Sequence, residues 1–392
     1  MLEYDPYSYE LDVDPYPVYH WMQEESPAYY NERLDFWALT RFQDCLDAFM
    51  DWETWSSADG TVLELMGTGL AGTLMIFMDP PRQTRYRNLV NRGFTLRRIG
   101  ALEPEIRRIA ASYLDRLEGR EAFDVVKEFT ARFPMDVISA LLGIPEADRD
   151  AVRGWSNALL HREPGNPMPP KQALDAQVEL MRFFSGELED RRRRPRDDLM
   201  SELAEAEIDG EEGLPGRLSD TEIRAFFNLL VTAGNETVTK LLGAAFYWLH
   251  QNPDQRQLLV SEPRWIPNAV EETLRYDPPS QYQGRTLTRD VSLHGCNLPK
   301  GARVLLINGA SGRDRRKFPD PDRYDVRRSI DLHLGFGYGR HFCLGASLAR
   351  LESKIALEEF LSRFPEYGIS EDGIEWMHSS NVRGFSGLVL EP

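Results

Sequence analysis

Along the 392-residue chain, long stretches with apolar residues every three or four positions are punctuated by a few short runs in which apolar and polar residues alternate. The longest helical pattern runs from Ser219 to about His250. Ser219 and Glu222 make a capping box at its start, and Asn252-Pro253 marks its end. At 1.5 Å per residue such a helix is roughly 45 Å long, enough to cross the whole molecule. Arg224, Asn228, Asn235, Glu236 and Lys240 exclude a bilayer span and predict a core helix with a polar middle. Shorter helical patterns fill Arg82 to Leu203, broken at Gly143-Ile144-Pro145 and at the Pro-rich piece 163–170. The run Arg191 to Arg194 precedes Pro195 and reads as a solvated helix end that complements the dipole. Another helix is predicted over Trp265–Tyr276, with Pro267 in its first turn and Asp277-Pro278-Pro279 forbidding continuation. Strand patterns appear at Phe36–Leu39, at Arg285–His294 and, after the turn Pro299-Lys300-Gly301, at Arg303–Ile307. Val62 to Phe77 is apolar but interrupted by Gly67, Gly69 and Gly72, which predicts a loop or broken helix able to line a pocket. The Glu- and Gly-rich stretch 205–216 reads as an exposed turn.

Composition narrows the function classes. A net charge of −17, from 46 Lys+Arg against 63 Asp+Glu, disfavours nucleic acid and acidic membranes as partners of the whole surface. Arginines nevertheless crowd two regions, Arg82 to Arg108 and Arg340 to Arg350, read either as solvated helix faces or as a local basic docking patch. Three cysteines and an acidic, Pro-rich start without a leader-like or anchor-like run predict a cytoplasmic protein without disulfides.

Candidate chemistry concentrates at Phe336-Gly337-Tyr338-Gly339-Arg340-His341-Phe342-Cys343-Leu344-Gly345. The helix-forming run from Ala346 places Cys343 at a helix N-terminus, where free N–H groups and the dipole favour a thiolate. Gly337 and Gly339 permit positive φ, and Gly345 presents no side chain to a flat ligand. Cys45 and Cys296 read as small buried hydrophobes. Three scattered cysteines do not make a zinc site, which leaves a single thiolate on haem iron.

This segment resembles the haem-binding signature of the cytochrome P450 family in every fixed position, and the resemblance extends over nearly the whole chain. It implies a mainly α fold with a minor β region (α+β), in one catalytic domain over 1–392, β-rich at about 1–60 and 280–310, with the long helix crossing over a haem b. By the same resemblance Ala233-Gly234-Asn235-Glu236-Thr237 is the oxygen-binding motif. Gly234 would open a groove for dioxygen, Thr237 would hold the reduced oxygen, and Glu236 would help pass protons. On the residues alone, a helix kink with Thr237 bonded back to a carbonyl explains this segment equally well. The resemblance further implies a structural network of Glu272, Arg275 and Arg323, and propionate contacts from Arg285, His341 and Arg85. Gln83 stands where a histidine is common. Phe336, Gly337, Gly345 and Ala233 would border the cofactor.

The activity implied is that of a haem-thiolate monooxygenase inserting one atom of dioxygen into a hydrophobic molecule of steroid, terpenoid or lipid-like kind. Its electrons would come from NAD(P)H through a separate ferredoxin and ferredoxin reductase, in a monomer. A peroxygenase or a haem sensor is the alternative, and the pair Glu236 and Thr237 argues against both. Pocket walls are expected at Val62, Leu65, Gln281, Tyr282 and Val382, with Gln283 beside them.

Overall fold

The computed structural model describes residues 3–69, 74–160, 170–208 and 215–392. Six of its helices place the site: α1 (Arg82–Val90), α2 (Phe133–Leu142), α3 (Lys171–Arg193), α4 (Asp220–Gln251), α5 (Ile266–Tyr276) and α6 (Ala346–Arg363). The capping box of α4 forms as the sequence predicts: Ser219 Oγ accepts from Glu222 N at 3.3 Å, and Ser219 N donates to Glu222 Oε2 at 2.8 Å. Helices α2, α3, α5 and α6 all pack against α4. The apolar side chains that α4 buries, among them Phe226, Phe227, Leu242 and Phe246, belong to the main core, where the rings of Phe246 and Phe360 lie 4.3 Å apart.

Among the described residues, ten strands form three smaller units. β1 (Ala28–Asn31), β2 (Phe36–Leu39), β3 (Trp55–Ser56), β5 (Tyr282–Leu287) and β8 (Arg303–Ile307) make a five-stranded sheet in the order β1-β2-β8-β5-β3. Only β2 and β8 are parallel in it, with Trp37 opposite Val304. β4 (Phe123–Asp124), β9 (Gly368–Trp376) and β10 (Phe385–Glu391) make a second sheet, and β6 (Val291–Leu293) pairs with β7 (Cys296–Leu298). The single strand expected over Arg285–His294 is therefore two. The chain bends at Thr288-Arg289 and turns again at His294-Gly295, where His294 and Gly295 have positive φ (51° and 76°). The first 60 residues also carry helices at Tyr9–Val13, Tyr16–Glu25 and Phe42–Met50, and the sheet built by β9 and β10 lies outside the expected β segments.

The arginine run at the end of α3 is not a solvated end throughout. Arg191 is wholly buried, held by Asp198 at 2.6 Å, Glu187 at 2.8 Å and the Gly143 carbonyl at 2.7 Å. A helix end docked against a second helix needs its charge paired, and Asp198 supplies the partner. The expected turn 205–216 and the loop 62–77 lie partly outside the described residues, as does the piece 163–170. What is described of the loop consists of turns and a short 3₁₀ segment at Met75–Phe77.

Candidate functional site

The cysteine loop is a tight, internally bonded bend. Gly337 N donates to Leu334 O at 2.8 Å, Phe342 N to Gly339 O at 3.1 Å and Cys343 N to Phe336 O at 3.0 Å. Gly337 and Gly339 have φ of 65° and 68°. Gly339 has a second reason to be glycine, since a Cβ there would lie 2.6 Å from the Phe49 carbonyl oxygen. A Cβ at Gly345 would meet nothing within 4 Å, so that side of the loop is open to a flat ligand. Phe336 lies under the Arg350 guanidinium, 4.7 Å from ring centre to charge, which packs the loop onto α6.

Around Cys343 the charges are cationic. Burial pushes the Cys343 thiol above its ordinary value, while the Gly345 and Ala346 N–H groups, Arg87 and Arg350 pull it the other way. The N–H groups of the helix end favour the thiolate in the expected direction, burial opposes them, and a coordinating metal would remove the proton outright. Burial pushes His341 down to about 3, helped by Arg285 and Arg87, and its Nε2 is buried without a hydrogen-bond partner. Arg285 is buried too; its Nη1 donates to the Gly284 carbonyl at 2.7 Å, and burial lowers its pKa to about 10 despite Asp79. Arg87 and Arg350 thus act on the Cys343 thiol, and Arg285 and Arg87 on the orphaned imidazole of His341, two residues before it. A haem fits these residues: Cys343 would ligate its iron, and the cations would hold its propionates.

The middle of α4 is open: Ala233 is exposed, and Gly234, Glu236 and Thr237 are half-buried between buried Val231 and Val238. Thr237 Oγ1 donates back to the Ala233 carbonyl at 2.7 Å. The cytochrome P450 family model matches residues 170–375. A putative cytochrome P450 123 of Mycobacterium bovis is 45% identical over 98% of this chain and 96% of its own length. The solved structure of CYP109Q5 from Chondromyces apiculatus superposes with a TM-score of 0.90 at 34% identity, covering 99% of this chain and 97% of that one. CYP109E1 from Bacillus megaterium, solved in complex with corticosterone, superposes at 0.88 with 32% identity over 97% and 99% of the two chains.

The chain belongs to the cytochrome P450 family. It is a cytochrome P450 monooxygenase of mainly α fold with a minor β region, and the family's cofactor is haem.

Within this P450, several residues expected at the site stand elsewhere. Arg85 does not reach the cysteine loop. Its guanidinium pairs with Glu222 Oε1 at 2.8 Å and donates to the carbonyls of Pro215 and Arg217, fastening α1 to the start of α4. The signal was in the spacing: Gln83 and Arg87 are four apart and share a face of α1, whereas Arg85 points away from it. Arg87 is the residue missed. Gln83 Nε2 donates to the Arg340 carbonyl at 2.8 Å, so its amide props the cysteine loop.

Glu272 and Arg275 form the expected buried pair, at 2.7 and 2.8 Å, and Arg275 also donates to the carbonyls of Gly312 and Pro321. The third member is not Arg323, whose side chain is 62% exposed. Arg328 takes that place, with Nε 3.3 Å from Glu272 Oε1, because the chain after Tyr324 turns back over α5.

Two pocket expectations are corrected as well. Gln281 is buried, its amide oxygen accepting from Tyr19 at 2.9 Å and its nitrogen donating to the Pro278 carbonyl at 2.7 Å. Tyr282 is core, its hydroxyl accepting from Leu63 N at 3.1 Å. Strand alternation puts Gln283, not Tyr282, on the Arg285 face of β5. Val62, Leu65 and Val382 are half-buried. Gly234 has a packing reason of its own, since Ile138 Cδ1 of α2 sits 2.5 Å from where its Cβ would be.

Proposed function

We propose that this P450 binds haem b through Cys343, with Arg285, His341 and Arg87 holding the propionates, and oxygenates a hydrophobic small molecule at a C–H or C=C bond. Bound haem supplies the reductive activation of dioxygen, aided by electron donation from the thiolate. The protein's own groups do the rest. Ala233, Gly234 and Thr237 border the reacting oxygen, the Thr237 hydroxyl holds it, and Glu236 with water delivers protons. Val62, Leu65, Gln283 and Val382 hold the substrate and exclude bulk water. One oxygen atom enters the substrate, the other leaves as water, and NAD(P)H supplies the two electrons through a ferredoxin reductase and an acidic ferredoxin. The exposed arginines Arg82, Arg92, Arg97 and Arg340 offer that ferredoxin a basic surface.

The cationic surroundings of the cysteine loop, with Arg87 acting on both Cys343 and His341, Arg285 on His341, and the His341 Nε2 without a partner, carry the reading. The corticosterone bound by CYP109E1 supports a steroid-like substrate. Steroids, terpenoids and fatty acids are to be screened for conversion of the haem to high spin, and hits incubated with NADPH, ferredoxin and reductase. A hydroxylated or epoxidised product supports the assignment. Cys343→His should lose the red-shifted carbon-monoxide spectrum of thiolate ligation, and its survival would refute Cys343 as the ligand.

A further inference from the structure

The acid of the relay is not free. Glu236 Oε1 lies 2.8 Å from Lys240 Nζ, one turn further along α4, and both side chains are nearly shut off from solvent, at 16% and 5% exposure. A pair at this spacing on a helix surface is worth only ~0.5 kcal/mol and signifies little. Here the lysine is buried and its environment is shaped around it. Lys240 Nζ also donates to the Phe385 carbonyl at 2.7 Å, at the start of β10. Gly384, at φ 148°, lies against the lysine stem, and a Cβ there would come within 2.7 Å of Lys240 Cβ. The two members of the relay therefore point to different partners: Thr237 back to Ala233, Glu236 forward to Lys240.

We propose that Lys240 is a positioning residue for proton delivery. Its bond to Glu236 Oε1 holds that carboxyl group turned away from Thr237, and its bond to Phe385 ties the resting arrangement to the chain at 379–384, which carries Val382 of the pocket wall. Delivery of a proton then requires Glu236 to leave Lys240, take a proton from water and pass it toward the Thr237 hydroxyl. Lys240 stays in place, held by the Phe385 carbonyl. Substrate seated against the turn is the event that loosens the tether. This rests on the role given above to Glu236.

The test uses the haem-loaded enzyme, NADPH, ferredoxin and reductase with a substrate from the screen. Product per NADPH consumed, peroxide release and the solvent deuterium isotope effect are compared for wild type, Lys240→Met, Lys240→Arg, Glu236→Gln and the double variant Lys240→Met/Glu236→Gln. Lys240→Met is expected to slow turnover by about 10-fold, within the ~100-fold that a general acid contributes, and to alter the isotope effect. Lys240→Arg should restore both, and Lys240→Met should add nothing once Glu236 is Gln. Thermal unfolding of the same five proteins gives a readout independent of turnover, in which the pair must show non-additive losses. If Lys240→Met lowers stability alone and leaves coupling and isotope effect at wild-type values, the lysine is structural and the proposal falls. If Glu236→Gln itself changes neither, the role of Glu236 fails first, and the two failures are told apart by that variant.

Discussion

Arg85 and Arg87 show how much a difference of two residues decides. The sequence places both in an arginine-rich stretch next to Gln83, and only helical phase separates them. Arg87→Ala should therefore leave the apoprotein folded but shorten haem retention, measured by transfer of haem to apomyoglobin. Arg85→Ala should destabilise the fold by ~3 kcal/mol, since it strands Glu222 in a half-closed site, while the haem spectrum stays that of the thiolate. Glu271 offers a pH test at the same scale. Burial alone would raise its pKa, but Arg350 and His333 hold it down at about 2. A depressed carboxylate stabilises the fold above its unfolded value near 4.5 and loses that contribution as pH falls toward 2. The loss amounts to at most ~3 kcal/mol. Glu271→Gln should flatten urea-unfolding stability across that window. A steep residual slope would assign the acid sensitivity elsewhere. The Cys343 loop was legible residue by residue because its glycines leave a fixed spacing. Arg328 was not, because a chain reversal, and no local pattern, brings it to Glu272.

At the scale of elements, α4 was legible from end to end: its capping box and its terminator Asn252 stand where the pattern puts them. Ser219→Ala should cost about 1 kcal/mol in thermal or denaturant unfolding, and Glu222→Gln more, because Glu222 closes the cap and also receives Arg85. The helix of the cysteine loop depends on its approach to Phe42–Met50. Gly339→Ala brings a Cβ against the Phe49 carbonyl and strains a φ of 68°, so the variant should bind haem weakly even at full expression. Normal haem content in that variant would show that the loop shifts to accept the methyl. The strands were harder to read. β9 has half-buried residues on both faces, so no clean alternation marks it, and its pairing with β10 is set across residues 377–384 by the chain's return.

For the whole molecule, a charge of −17 and an arginine-rich face coexist. Reduction by an acidic ferredoxin should slow as ionic strength rises from 10 to 150 mM equivalents, roughly as the Debye length shrinks from ~30 to ~8 Å, and Arg340→Glu should remove most of that salt dependence. Stopped-flow reduction of the haem measures both; a salt-independent rate would place docking away from these arginines. No helix among the described residues is long and apolar enough to cross a membrane. The fold class was readable from the resemblance of three motifs, while the substrate pocket was not, since apolar lining and apolar core use the same residues. The nine-residue α1 turns Gln83 and Arg87 to one side and Arg85 to the other. Prosthetic-group occupancy and the seating of the first turns of α4 are therefore thermodynamically reciprocal: amides near 219–226 should exchange with deuterium faster in protein stripped of its porphyrin, and ligating the porphyrin should slow them again.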